Sequence, residues 1–385
     1  MLSSSPPNEP KLKRNQRRER RLWHDGKRHS ASLGCMVCPE RQLCGGLSIG
    51  RALFSCLDFC CGEPESCDVV CRNHPEFAHR VWEIGGFALE TVPRAPVLPA
   101  PKLPPVIPLM FHGKCREGSF APAAVALSLY QMFNRRDGSL RFRSPEALCK
   151  AFGLGPETPI VLSGTEQDPP LERWWSLGDR RGELIRGLRA AGVVLVTTPN
   201  YSLFTDQPRW DDMHSMKRIA LVHQEFLAEG LPAALHVNAR TETDFRRWVE
   251  YVRARPEVTH LAYEFTTGTG WAGRRERHAT WLAELARAVG RPLDLVVRGG
   301  IKALPVLTAA FARVSVIETS VFMKTIKRRR AVPNEEAAPT WQPAPTPIGA
   351  PLDALLNENL QTVESWLCRL AGANNAMTRP KFGHG

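Results

Sequence analysis

The strongest constraint in this chain is the regular exchange of short, apolar, β-branched runs with longer amphipathic ones from residue 106 to residue 370. VIPLMFHG (106–113), PIVLSG (159–164), VVLVTTP (193–199), PAALHVNA (232–239), THLAYEFTT (259–267), LDLVVRGG (293–300) and RVSVIETS (313–320) read as strands. Helical stretches are expected at 121–134, 144–152, 171–191, 213–229, 243–254, 274–289 and 303–312, with a closing helix at 353–370. Strands and helices in alternation are the pattern of parallel βαβ units.

Seven strands are readable, and an eighth, expected in the proline-rich segment before residue 106 or near Arg80–Glu90, completes an eight-stranded (β/α)8 barrel of the TIM type. An open doubly wound sheet is the rival. No glycine fingerprint follows the first strand, and polar residues close nearly every strand instead of gathering at one crevice.

Those strand-end residues are His112, Ser163, Thr165, Glu166, Thr197, Asn200, His236, Asn238, Glu264, Thr266, Arg298, Glu318 and Thr319. In a barrel such positions converge on one face, where catalytic groups are drawn from several strands. Glu264 and Glu318 are the expected acid/base pair, because two carboxylates in one apolar mouth push their pKa values apart. His236 is the next proton carrier, with Asn238 on the same strand face. Arg298 followed by Gly299 and Gly300 combines a guanidinium with closely approaching backbone, an arrangement suited to phosphate. The long polar segment after VVLVTTP adds Asn200, Asp206 and Arg209 as substrate contacts. Its Asp211, Asp212 and His214 are a weaker metal candidate, since the aspartates serve equally as helix caps.

Eight of the eleven cysteines fall in one short segment: Cys35, Cys38, Cys44, Cys56, Cys60, Cys61, Cys67 and Cys71. No apolar stretch near the N-terminus resembles a secretory signal, so a cytoplasmic protein is expected, where clustered thiols are more often metal ligands than disulfides. Eight thiolates suffice for two four-ligand sites. With one C-x2-C, an adjacent Cys60-Cys61 pair and uneven gaps, iron–sulfur is favoured somewhat over zinc. The run Cys35-x2-Cys38 through Cys44-Gly45-Gly46 is similar to part of the auxiliary iron–sulfur domains of radical S-adenosylmethionine enzymes. Ser48 stands where their fourth cysteine falls, and the C-x3-C-x2-C loop of a radical enzyme is lacking.

Formal net charge is +12, and residues 1–30 hold nine Lys/Arg against three Asp/Glu. A second basic patch, Lys324 with Lys327, Arg328, Arg329 and Arg330, precedes a proline-rich connection. Such segments attract polyanions without reading sequence, which makes nucleic acid or a phosphorylated small molecule the expected partner. No apolar run of 18 residues is free of charge and proline, so no membrane partner is expected.

The run TTPNYSLFTDQPRWDDMHSMKRIALVH, followed by the LHVNA and YEF strands, resembles a family of uncharacterised bacterial proteins found on phages, plasmids and other mobile elements and defined by a domain of unknown function. The resemblance spans about residues 190–325 and rests on Asn200, Ser202, Asp206 and Pro208. It implies a barrel-like α/β domain and attaches no reaction to it.

The expected organisation is a basic tail (1–30), a cysteine-rich metal-binding module (31–78), a proline-rich linker (79–105), the barrel (106–325), a basic and proline-rich connection (326–349), a closing helix (350–372) and a tail (373–385). Three functional classes follow: an enzyme acting on a phosphate-bearing substrate at the barrel mouth, a non-catalytic nucleic-acid-binding protein of a mobile element, or an iron–sulfur redox protein.

Overall fold

The computed structural model describes residues 77–372, apart from residues 100, 119, 121, 135, 204–208 and 267–271. All eight clustered cysteines, the basic N-terminal tail and Asp206 lie outside the described residues.

Eight parallel strands form the central sheet: β1 (Val106–Pro108), β2 (Val125–Ser128), β3 (Ile160–Ser163), β4 (Val193–Thr197), β5 (Ala233–His236), β6 (His260–Glu264), β7 (Asp294–Arg298) and β8 (Arg313–Glu318). From β2 to β8 each strand pairs with the next in chain order, and β8 pairs with β1. Among the described residues the β1–β2 seam is joined just beyond β1 by a single bridge, where Leu109 lies opposite Ala126 and Met110 N–H donates to Ala126 O at 2.9 Å. The described strands form a nearly closed (β/α)8 barrel.

The eighth strand is β2, and it lies where a helix was expected, within residues 121–134. It lies neither in the proline-rich segment nor near Arg80–Glu90; the latter stretch holds helix α1 (Phe77–Ile84) and a 3-10 turn (Leu89–Thr91). Helices α2 (Pro145–Phe152), α3 (Asp168–Trp175), α4 (Arg180–Ala190), α5 (Arg209–Ala228), α6 (Glu242–Arg253), α7 (Ala272–Val289), α8 (Leu304–Thr308) and α9 (Ser320–Ile326) follow the later strands. The single helix read at 171–191 is therefore two, broken at Gly178, whose φ is +53°. A hairpin of β9 (Arg329–Val332) and β10 (Thr340–Pro343) occupies the connection, and α10 (Asp353–Gly372) closes the ring against α8, α9 and β1. Asp353 fastens α10 to the β1–β2 loop: it accepts from Glu117 N and Phe120 N and pairs with Arg116 at 3.0 Å, both side chains being buried.

Two apolar layers hold the fold. Ile107, Leu109, Ala124, Ala126, Val161, Leu195, Ala234, Ala262, Val296 and Ile317 fill the barrel, while alternate residues of the same strands pack outward under the helices. The period of two fixes which strand-end residues face the mouth. Below the apolar filling, the first residues of three adjacent strands meet: His260 Nε2 lies 3.2 Å and Arg313 Nη2 2.5 Å from Asp294 Oδ2.

Residues 79–97 do not hang free as a linker. Buried cations on α5, on α6 and just after α6 donate to this segment: Lys217 to Ala88 O and to the Thr91 hydroxyl, Arg247 to Phe87 O at 2.9 Å, and Arg255 to Val92 O and to Pro93 O at 2.9 Å. The segment is a strap across α5 and α6. The C-terminal basic patch is also engaged, Arg330 with Glu358 at 3.0 Å, Arg329 with Trp341 O, and Lys324 over the Trp341 ring.

Candidate functional site at the barrel mouth

At each strand end the inward parity of the barrel filling is continued by one more residue. Ala262 faces in, so Glu264 does too; Val296 carries Arg298, Ala234 carries His236, and Val161 and Ala126 carry Ser163 and Ser128. Glu264 and Arg298 are register partners on adjacent strands. Arg298 Nε stands 3.6 Å from Glu264 Oε2, and its Nη1 donates to Thr165 O at 3.1 Å. The guanidinium is a quarter exposed while the carboxylate beneath it is buried. Burial pushes the Glu264 carboxyl above the usual range, against the pull of the Thr266 hydroxyl and of Arg298.

His236 sits deeper. Its Nδ1 is 2.6 Å from Thr198 O, a carbonyl that can only accept, so Nδ1 carries the proton and Nε2 is the acceptor, 3.5 Å from Thr165 Oγ1. Full burial lowers the ring's pKa from 6.5 to about 4, assisted by Arg298 and opposed by the Thr198 bond. The ring is neutral at physiological pH. At the ends of β2 and β3 and in the loop after β4, Ser128 Oγ, Ser163 Oγ and Asn200 Oδ1 are buried without hydrogen-bond partners. Protein interiors rarely leave such groups unmet, and a bound ligand or water would meet them.

The other expected site residues are placed differently. Glu318 follows the inward Ile317 and so faces the helix layer. Its Oε1 accepts from Ser320 N and Oγ, and its Oε2 from Val321 N at 2.7 Å, so the carboxylate closes the first turn of α9. Asn238 ties loops together, donating to Tyr201 O at 2.8 Å and accepting from Arg240 at 3.2 Å. Gly299 and Gly300 have positive φ, and a Cβ on them would stand 2.5 Å from Thr266 Cγ2 and from the Phe265 ring. That close packing on the β6 loop accounts for both glycines. Asp211 pairs with Arg80 and His214 with Glu83, each at 2.6 Å, so these groups dock α1 on α5. Among the described residues no cluster of His, Cys, Asp and Glu has the make-up of a metal site. Nothing is described of Asp206 or of the Arg209 side chain.

Sequence reasoning missed Ser128, Tyr130 and Gln131, because β2 read as helix. Tyr130 Oη donates to Gly164 O at 2.9 Å, one residue before the carbonyl that Arg298 holds. As a set, the mouth offers a partly exposed guanidinium, a carboxyl that burial keeps easier to protonate, and a neutral imidazole acceptor.

No protein-family model matches the chain, and no curated protein matches it. A solved structure from Coccidioides immitis, described as a fructose-1,6-biphosphate aldolase, is similar over 70% of this chain and 88% of its own, at 14% identity and a TM-score of 0.34.

Proposed function

We propose that this barrel is an enzyme acting on a phosphate-bearing substrate, a nucleotide or a nucleic acid, at its C-terminal mouth. One observation carries the proposal: Arg298 and Glu264 end adjacent strands, both face inward, and only the guanidinium reaches solvent. Arg298 clamps the anion, with the planar fork that suits phosphate oxygens. Glu264 holds or gives up a proton beside it, and His236 accepts one at Nε2. Unmet hydroxyls of Ser128 and Ser163 supply further donors to the substrate. Glu318, Asn238, Asn200 and the Gly299-Gly300 turn shape the loops that carry these groups. Support for an anionic substrate comes also from the net charge of +12.

The test is thermal stabilisation and equilibrium dialysis with orthophosphate and the four ribonucleoside 5′-monophosphates. Saturable binding by the wild type, lost in Arg298→Gln, is the expected result. Binding of none of them, or equal binding by the variant, sinks the proposal.

The cysteine module belongs to the same proposal as a metal-binding appendage, with iron–sulfur ahead of zinc. Anaerobically purified protein is then brown, with broad absorption near 400 nm on the general behaviour of such clusters; colourless protein carrying zinc would overturn the iron assignment. The nine cations among residues 1–30 favour a second reading, nucleic-acid binding by the tail, whose affinity falls steeply with salt.

A further inference from the structure

Beside the mouth, over the β1–β2 seam, lies a cleft of about 570 Å³. It is walled by five aromatic rings, Phe111, Tyr130, Phe133, Phe142 and Phe152 among them the whole apolar lining apart from Ala151. Its edges carry groups of a different kind: the Gln131 amide, the Asn134 amide, the Arg141 guanidinium and the His112 imidazole. Gln131 donates through Nε2 to Phe111 O at 3.3 Å, which leaves its Oε1 buried without a donor. The cleft is built from both sides. The loop after β1 rests on the end of α2 so closely that a Cβ on Gly113 would stand 2.5 Å from Ala151 O. Opposite, Tyr130 is fixed by its bond to Gly164 O. Gly164 and Thr165 thus form a shared wall, with Tyr130 of the cleft on one carbonyl and Arg298 of the mouth on the next.

We infer that this cleft receives the base of a nucleoside whose phosphate lies at Arg298, so that the substrate class is a nucleotide. The inference rests on the mouth reading above and extends it. Aromatic walls, with Phe142 edge-on to Phe152 at 5.9 Å between centroids, offer apolar faces to a planar heterocycle, while amide and guanidinium groups at the rim match the donors and acceptors on a base edge. The unmet Gln131 Oε1 is an acceptor for an exocyclic amine. A simple sugar phosphate would leave the aromatic walls uncovered.

Adenosine, guanosine, cytidine and uridine, which carry no phosphate, isolate the cleft from the mouth. Calorimetry on the full chain is expected to show one-site binding of at least one of them. Ala151 is an exposed lining residue on α2, so Ala151→Trp fills the cleft from a surface helix and is expected to weaken nucleoside binding at least tenfold. Arg298→Gln should leave nucleoside affinity within about twofold and weaken the corresponding 5′-monophosphate at least tenfold. Should Ala151→Trp fail to fold, Phe142→Ala reads the same cleft by removing a ring. No nucleoside binding by the wild type, or nucleoside binding unchanged in the cleft variant, overturns the inference. Arg298-dependent binding of monophosphates that ignores the cleft variant overturns it while leaving the mouth reading intact. Nucleoside binding that needs the cleft, with monophosphates indifferent to Arg298, overturns both the mouth reading and the placement of the phosphate, and leaves a cleft for the nucleoside alone.

Discussion

Glu264 and Arg298 end neighbouring strands in register, and their carboxylate and guanidinium stand 3.6 Å apart with the acid buried beneath the base. The separation is longer than a hydrogen bond, so Nε of the guanidinium is not committed to the carboxylate, while Nη1 is held by Thr165 O and the positive charge still acts on Glu264.

Burial raises the folded-state pKa of Glu264 above its usual value. The folded state therefore holds this proton more tightly than the unfolded state, and stability falls as pH rises from the unfolded carboxyl value through the folded one. Glu264→Gln is expected to flatten that part of the pH–stability curve, measured by urea unfolding from pH 4 upward, on the order of the usual acidic range. An unchanged slope would mean that another group titrates there.

His236 and His223 are both fully buried, with pKa values lowered from 6.5 to about 4. For each, stability is complete above the unfolded value near 6.5 and is lost as pH falls through the folded value. Each ring contributes about 3 kcal/mol of acid sensitivity across that window. Ring signals of His236 in an NMR titration should stay those of a neutral Nδ1–H tautomer down to about pH 5, the lower end of the ordinary histidine range.

Glu318 and Glu264 separate in their roles. Glu318→Ala removes the acceptor for the first turn of α9 and should cost about 1–2 kcal/mol, read by denaturant unfolding, while phosphate-ligand affinity persists. Loss of ligand binding in a well-folded Glu318→Gln protein would return this residue to the mouth.

Lys217 is fully buried and donates to Ala88 O and Thr91 Oγ1. Lys217→Met keeps the volume and leaves both acceptors without that donor, at a cost of about 1–3 kcal/mol. Hydrogen exchange in residues 87–93 is expected to accelerate before that of the barrel strands. Uniform acceleration would show that the strap and the barrel open together.

Most strands were legible because β3, β4, β7 and β8 are β-branched runs bounded by turns, and β5 and β6 are short apolar runs set between longer helical stretches. β2 was not, since its inward residues Ala124 and Ala126 are small, to fit the barrel interior beside Ile107 and Leu109, and SFAPAAVALSLYQMFN carries a helix former's composition. The side taken by Glu318 was hidden for another reason. With Val314 and Val316 facing out and Ile317 facing in, both sides of β8 are apolar, and no alternation remains to set the parity of the next residue. Asp211 and His214 find partners 131 residues earlier in the chain, at Arg80 and Glu83; no local pattern encodes such a pairing. By contrast, an ionisable residue opens each of β6, β7 and β8, and that repeat is a local sign of the polar layer at the barrel floor.

The pairing of α1 with α5 also sets a direction. Arg80 meets Asp211 and Glu83 meets His214, so the two helices run the same way. Because α5 leaves the β4 loop at the mouth, the start of α1 stands at the rim of the barrel rather than at its floor. Chain that enters the fold at Phe77 thus enters it beside the mouth, and the two ion pairs that seat α1 on α5 fix that point of entry.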